Sequence, residues 1–264
     1  MLDLTKEYEY NDAPKHKHSV AVVRNTFARV EYGNGDVYEG EFRDGFRHGT
    51  GTYHFSKTPG TRYEGQFVKD EFEGHGVYFY EGGTVYRGQW YASYKHGKGV
   101  FVNPAEKTEY DGDWCEGFRH GRGKMTSPDF TYHGEFEHDN INGSGSMVYT
   151  STGISYDGEF QDNVRHGRGI LNSENENYNG EWRDDKKNGQ GVQKIKGVGV
   201  YTGGFVDDKR HGKGEVVYEE GRFKSYSGEW ANDMKCVGER KAREDGLPVE
   251  KVSYLKNVLV RREV

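Results

Sequence analysis

Tyr38-Glu-Gly-Glu-Phe-Arg-Asp-Gly-Phe-Arg-His-Gly-Thr-Gly51 is one copy of a pattern that fills most of a 264-residue chain. A Tyr-x-Gly begins at Tyr38, Tyr63, Tyr86, Tyr110, Tyr132, Tyr156, Tyr178, Tyr201 and Tyr226, at intervals of 22 to 25 residues. Four positions after each Tyr stands an aromatic residue: Phe42, Phe67, Trp90, Trp114, Phe136, Phe160, Trp182, Phe205 and Trp230. Eleven positions after the Tyr a Gly-x-Gly begins, at Gly49, Gly74, Gly97, Gly121, Gly143, Gly167, Gly189 and Gly212. Only the ninth unit departs, with Val237 and Glu239 in those places. Repetition on this scale decides the architecture before any local feature does.

The distance from Tyr to Gly-x-Gly is constant in the eight complete units, so every insertion falls between that Gly-x-Gly and the next Tyr. Fixed spacing marks two halves that pair in register, and variable spacing marks a surface connection. The block therefore reads as an antiparallel β-hairpin. Strand alternation puts Tyr38, Gly40 and Phe42 on one face and Glu39 and Glu41 on the other, with Gly49, Gly51 and Tyr53 joining the ring face. The residue four after the first glycine is large and apolar in seven of eight units, Gln193 being the exception. The segment Arg43–His48, with its Asp and Gly, reads as the hairpin connection. A residue without Cβ lets a ring lie flat on the backbone, so both members of Gly-x-Gly are expected to be packing glycines. A lone hairpin is marginal, and stacking buries each aromatic face on the next. The expected fold is all-β: an elongated, single-layer array of stacked antiparallel β-hairpins.

Composition agrees. Ile, Leu, Val and Phe make up only 18% of the chain, which in a strongly charged sequence would point to disorder. Here the net charge is −6 and Tyr alone supplies 20 residues, so the core must be rings on glycine. The mild acidity argues against nucleic-acid binding, which needs a basic excess. Two cysteines, Cys115 and Cys236, suit a reducing compartment better than a disulfide framework. The first residues, MLDLTKEYEYNDAPKHKH, contain no apolar signal core, and the expected compartment is the cytoplasm.

Tyr38-Glu-Gly-Glu-Phe42 followed by His48-Gly-Thr-Gly51, repeated about every 23 residues, resembles the MORN (membrane occupation and recognition nexus) repeat. The resemblance covers about residues 30–238 in nine copies, each starting near its Tyr. It implies the stacked-hairpin fold and is much less specific for function. Arrays of this kind occur in cytoskeletal and ciliary scaffolds, in junctional membrane proteins, in plant phosphoinositide kinases and in a lysine methyltransferase. In the enzymes among them, catalysis resides in a separate domain. The flanks here, residues 1–29 and 239–264, are too short for one, so neither catalytic residues nor a cofactor is expected. Within the first flank and its border, residues 19–32 are β-rich and suit a strand capping the first hairpin. The amphipathic tail 239–264 reads as a helix from Pro248 with Val249, Val252, Leu255 and Leu259 on one face, although its β-branched content also allows a strand.

The remaining chemical signals are weighed against the repeat. His48, His96, His120, His166 and His211 all precede a Gly-x-Gly, but equivalent positions on successive hairpins lie roughly 10 Å apart, too far to share a metal ion. Neither cysteine has a Cys-x-x-Cys partner, and no Gly-x-Gly opens a helix that could bind phosphate. Two patterned surfaces are left. One is a comb of basic residues assigned to the hairpin tips, Arg47, Lys95, Arg119, Arg165, Lys186, Lys187 and Arg210, fit for an anionic lipid or acidic partner. Asp44, Asp70, Asp184 and Asp207 in the same turns dilute its field. The other is an aromatic groove lined by Tyr86, Trp90, Tyr110, Trp114, Tyr132, Phe136, Tyr156, Phe160, Tyr178 and Trp182. Aromatic residues are frequent interface anchors, so the favoured expectation is a non-catalytic scaffold that takes a helix or extended segment of a protein partner along this groove. The competing outcome is that the rings are consumed by stacking on one another. The degenerate ninth repeat and tail additionally suit homodimerisation, and the family resemblance places the chain in the cytoskeleton, with the ciliary axoneme first.

Overall fold

The computed structural model describes residues 26–263. Among these residues the chain forms 21 antiparallel strands and one short 3-10 turn, Glu81–Gly83. It divides into two compact units between Asn140 and Ile141. Within each unit every strand pairs antiparallel with its neighbour in sequence, so each is an uninterrupted meander. The fold is all-β, as the repeat requires.

Hairpins within each unit close on two residues that both have positive φ, such as Asp44-Gly45, Lys69-Asp70, Asp162-Asn163, Asp184-Asp185 and Asn232-Asp233. These are type I′ turns, whose twist matches that of the flanking strands, and Asp, Asn and Gly tolerate the left-handed region best. The connection is therefore shorter than Arg43–His48. Arg43 pairs with Phe46, and Phe46, Arg47 and His48 lie inside the strand Phe46–His54. That shift decides where the basic side chains go.

The tyrosine of each repeat lies flat along two glycines. A Cβ added to Gly40 would sit 2.5 Å from Gly51 Cα, and one added to Gly51 would sit 2.5 Å from Tyr38 Cε2. Gly40 and Gly51 face one another across the strand pair, and the same pairing recurs through Gly65, Gly76, Gly88, Gly99, Gly112 and Gly123. In all nine repeats the Tyr hydroxyl reaches beyond the glycine and donates to the carbonyl three residues on, at 2.9–3.1 Å. The spacing Tyr-x-Gly thus follows from the ring's length. Each tyrosine needs its own hydroxyl satisfied once buried, and its own strand supplies the acceptor.

The first glycine of each Gly-x-Gly has a different job from the one expected. Gly49, Gly74, Gly97, Gly121, Gly143, Gly167, Gly189 and Gly212 have φ between +58° and +82°. Between the pairs Gly40↔Gly51 and Phe42↔Arg47 the second strand carries two more residues than the first, which is a β-bulge that needs a left-handed residue. Gly49 faces the Glu41 carboxylate, not the ring of Tyr38. That carboxylate accepts the Thr50 N–H at 2.9 Å, and Gln66, Gln89, Asp113, Glu159 and Glu181 do the same for His75, Lys98, Arg122, Arg168 and Gln190. Only the second glycine is a packing glycine. In the ninth repeat the bulge is one residue shorter, and Gly238 moves into the packing place opposite Gly228.

At the ends, Thr26–Glu31 pairs with Val37–Arg43, while residues 19–25 of the capping stretch lie outside the described residues. The tail is not helical. Glu250–Leu255 pairs with Met234–Ala242, and Val258–Glu263 pairs with Glu250–Leu255 through the positive-φ turn Lys256-Asn257. The open edge of Met234–Ala242 satisfies a strand's backbone where a helix would leave it bare, and β-branched Val252 becomes buried against it.

Candidate functional site: ring ladder, cationic spine and turn edge

Within the ladder the repeat tyrosines meet aromatic rings edge-on, eight of the nine meeting two. Tyr110 packs on its own Trp114 at 5.2 Å between centroids and on Phe136 of the next repeat at 5.0 Å. Tyr156 meets Phe160 at 5.0 Å and Trp182 at 5.4 Å. Edge-to-face pairs at such distances contribute roughly 0.5–1.5 kcal/mol each beyond area burial. Every tryptophan also donates its indole N–H to the carbonyl of a packing glycine in the preceding hairpin, Gly76, Gly99, Gly169 or Gly214, at 3.0–3.3 Å. Burial pushes the tyrosine hydroxyls upward, that of Tyr201 to about 12.

This packing settles what the ten groove residues expose. Tyr86, Trp90, Tyr110, Trp114, Tyr132, Phe136, Tyr156, Phe160, Tyr178 and Trp182 are each at most 5% exposed. The rings are consumed by one another, and no open aromatic groove runs over them.

The basic residues expected at the tips lie over the rings instead. Arg47 and Lys95 are 2% and 4% exposed, and Arg119, Arg165, Lys187 and Arg210 are largely covered, so Lys186 alone projects outward. Arg165 Cζ stands 4.3 Å from the Trp182 centroid, Arg210 Cζ 4.6 Å from Trp230, and Lys95 Nζ 4.2 Å from Trp114. The reason is register: with the turn at residues 44–45, position 47 falls on the ring face directly opposite Phe42. Long basic side chains cover apolar surface well while keeping their charge engaged.

Counter-charges come from the turns. The N–H of the second turn residue donates to the carbonyl of the spine residue in the hairpin before it, as Asp70 does to Arg47 and Asp185 to Arg165. The same aspartates accept both N–H and Nε from the spine arginine: Asp70 from Arg47, Asp139 from Arg119, Asp185 from Arg165 and Asp233 from Arg210. Of these four, only Asp70 was among the turn carboxylates, with Asp44, Asp184 and Asp207, expected to dilute a basic surface. The regular placement of the four, 20 to 23 residues after each arginine, was the available sign of a clamp between hairpins. In the seventh repeat Glu176 bridges Lys187 and Gln193, which explains the one polar residue in the apolar row. Lys95 differs: the second turn residue it faces is Gly117, where Arg47, Arg119, Arg165 and Arg210 face Asp, and burial lowers its ammonium pKa to about 7.

A surface that the sequence reading missed flanks the turns of the first unit. Phe46, Val68, Tyr91, Tyr94 and Phe118 are 40–61% exposed and stand beside four successive hairpin turns. The corresponding pairs of the second unit are Gln161 with Val164, Arg183 with Lys186, Val206 with Lys209 and Ala231 with Met234. The signal lay in residues counted as connection, which strand alternation could not place once the turn was taken as too long.

Among the described residues no three of His, Cys, Asp and Glu cluster in a way that could hold a metal ion, and no helix is long and apolar enough to cross a membrane. The family model described as the MORN repeat matches nine consecutive segments: 38–57, 63–85, 86–104, 110–131, 132–153, 156–177, 178–196, 201–221 and 226–237. No curated protein matches the chain.

Proposed function

The chain belongs to the MORN repeat family, and from that premise we propose that it is a non-catalytic scaffold that docks another protein on the turn edge of its first unit. The observation that carries this reading is the row of Phe46, Val68, Tyr91, Tyr94 and Phe118. Large apolar side chains repeated at the two-strand interval, roughly 10 Å, form a ridge on which a helix or an extended segment can lie. Monomeric surfaces seldom keep such a row without use, and Tyr and Phe are common anchors. The ring ladder serves this edge by fixing its spacing. A cytoskeletal setting, with the ciliary axoneme first, is the one the family resemblance favours, and the reading assigns the chain no reaction of its own.

Crosslinking of a tagged full-length chain in its native cell, wild type against Tyr91→Glu/Phe118→Glu, tests the site. The double variant should keep its melting temperature and lose the crosslinked partner, whereas Lys209→Glu in the second unit should retain it. An unchanged partner set in the double variant would sink the proposal, and so would tight flotation with anionic vesicles that Lys186→Glu abolishes. Localisation of the same tagged chain away from any filament system would remove the cytoskeletal part. Self-association is a separate expectation: all six residues of the terminal strand Val258–Glu263 are exposed, and an open edge strand can pair with its own copy. A monomer in sedimentation at high concentration would dispose of it.

A further inference from the structure

The ninth repeat carries a cavity that the other repeats do not explain. About 200 Å³ in volume, it lies between the connection after strand Lys209–Tyr218 and the strands that follow, walled by Tyr218, Phe223, Tyr226 and Tyr254. Lys235 is the spine residue here. Its ammonium stands 5.2, 5.4 and 5.7 Å from the ring centroids of Tyr218, Tyr226 and Tyr254. Elsewhere in this unit the spine cation meets a carboxylate: Arg165 meets Asp185, Lys187 meets Glu176 and Arg210 meets Asp233. Lys235 has no salt bridge among the described residues, because the turn residue that accepts its N–H, at 2.7 Å, is the neutral Asn257. Of the other charges on the wall, Arg240 is engaged with Glu250, which also meets Arg262, while Glu220 and Arg222 also line the cavity, Arg222 Cζ standing 5.4 Å from the Phe223 ring centroid.

An unneutralised ammonium among four ring walls selects a carboxylate on an apolar body. The volume exceeds the roughly 150 Å³ that accommodates a benzene ring, which leaves space for the anionic group. We propose that this pocket binds an arylcarboxylate, its anion on Lys235 Nζ and its ring against Tyr226 and Phe223. The same chemistry is offered by a free small molecule and by an aromatic residue at the carboxyl end of a polypeptide.

Calorimetric titration of the full-length chain with phenylacetate, N-acetylphenylalanine, phenylacetamide and inorganic phosphate at constant ionic strength tests this. One saturable site for phenylacetate or N-acetylphenylalanine is expected, and the tighter of the two identifies the source as free molecule or chain end. Lys235→Gln should weaken binding roughly 10- to 100-fold, as expected for losing a charged hydrogen bond. Asn257→Asp, at an exposed turn where other repeats already carry Asp, should weaken it without loss of fold. No saturable site for either carboxylate, equal binding of phenylacetamide, tighter binding of phosphate, or wild-type affinity in both Lys235→Gln and Asn257→Asp would each overturn the assignment.

Discussion

The sixth and ninth hairpins begin alike and end differently. Tyr156 and Tyr226 both lie on a glycine pair and both bond the carbonyl three residues on, at 3.0 and 3.1 Å. In the sixth, Gly167 at φ +59° opens a two-residue bulge, Glu159 closes it through the Arg168 N–H, and Asp185 neutralises Arg165. In the ninth the bulge has lost a residue, Val237 is 61% exposed, and Lys235 faces Asn257. The tyrosine seat survives all these losses. Ring-on-glycine packing is therefore the element of the repeat that cannot be traded, while bulge, clamp and counter-charge are separable additions.

The largest effect expected from breaking this comparison comes from the two glycines of one Gly-x-Gly. Gly169→Ala places a Cβ 2.5 Å from Tyr156 Cε2, on a buried ring with no room to give, and should cost on the order of 3 kcal/mol by displacing the ring. Gly167→Ala strains only a left-handed residue and presses on the flexible Glu159 side chain, so about 1–2 kcal/mol is expected. Denaturant midpoints of the two variants should differ accordingly, and equal midpoints would contradict the division of labour.

Next comes the buried lysine of the first unit, which extends the comparison because the second turn residue facing Lys95, Gly117, carries no carboxylate, like Asn257 facing Lys235. Desolvation holds its folded pKa at about 7, below the ordinary lysine value. Between those two values the unfolded chain binds more protons, so stability should rise as pH increases from about 7 and be lowest on the acid side. Lys95→Met should flatten that rise and raise the melting temperature more at pH 6 than at pH 9. A gain independent of pH would contradict a charge effect.

Spine contacts should be uneven. Arg165→Met gives up the Asp185 contact at 2.9 Å and a cation–π seat and should cost about 1–2 kcal/mol, whereas Lys235→Met, with no salt bridge to lose and its ammonium pKa lowered by desolvation, should be close to neutral at pH 7. The smallest contrast concerns the bulge clamp. Glu159→Ala should cost roughly 0.5 kcal/mol at its exposed site, and Glu229→Ala, where the shortened bulge leaves no such bond, should cost nothing measurable. Urea melts of the four variants check both contrasts.

How far the sequence could be read follows from the same chemistry. Tyr-x-Gly-x-aromatic was legible because ring length, glycine and the following carbonyl lie within five consecutive residues. Gly167 and Gly169 could not be told apart from spacing, since a left-handed bulge and a bare packing surface both select glycine. Arg165 and Lys186 were indistinguishable as basic residues before Gly-x-Gly, yet one covers Trp182 and the other is exposed, because a single residue of turn length reverses which face each occupies. The tail misled for a related reason. Val252 and Leu255 fit a helical face, but the free edge of Met234–Ala242 offers backbone partners that local periodicity does not register.

By itself, then, the sequence determined the repeat, its hairpin halves, its ring-and-glycine core and its family, all of which rest on contacts within one unit. The tertiary structure alone decided which side chains remain accessible. Burial of the rings, inward folding of the spine and exposure of Phe46, Tyr91 and Phe118 depend on turn length and on what the next hairpin contributes, such as Asp185 for Arg165 and Asn257 for Lys235. A contact supplied from some 20 residues away has no local signature, and it is such contacts that separate a neutralised cation from one left open to a ligand.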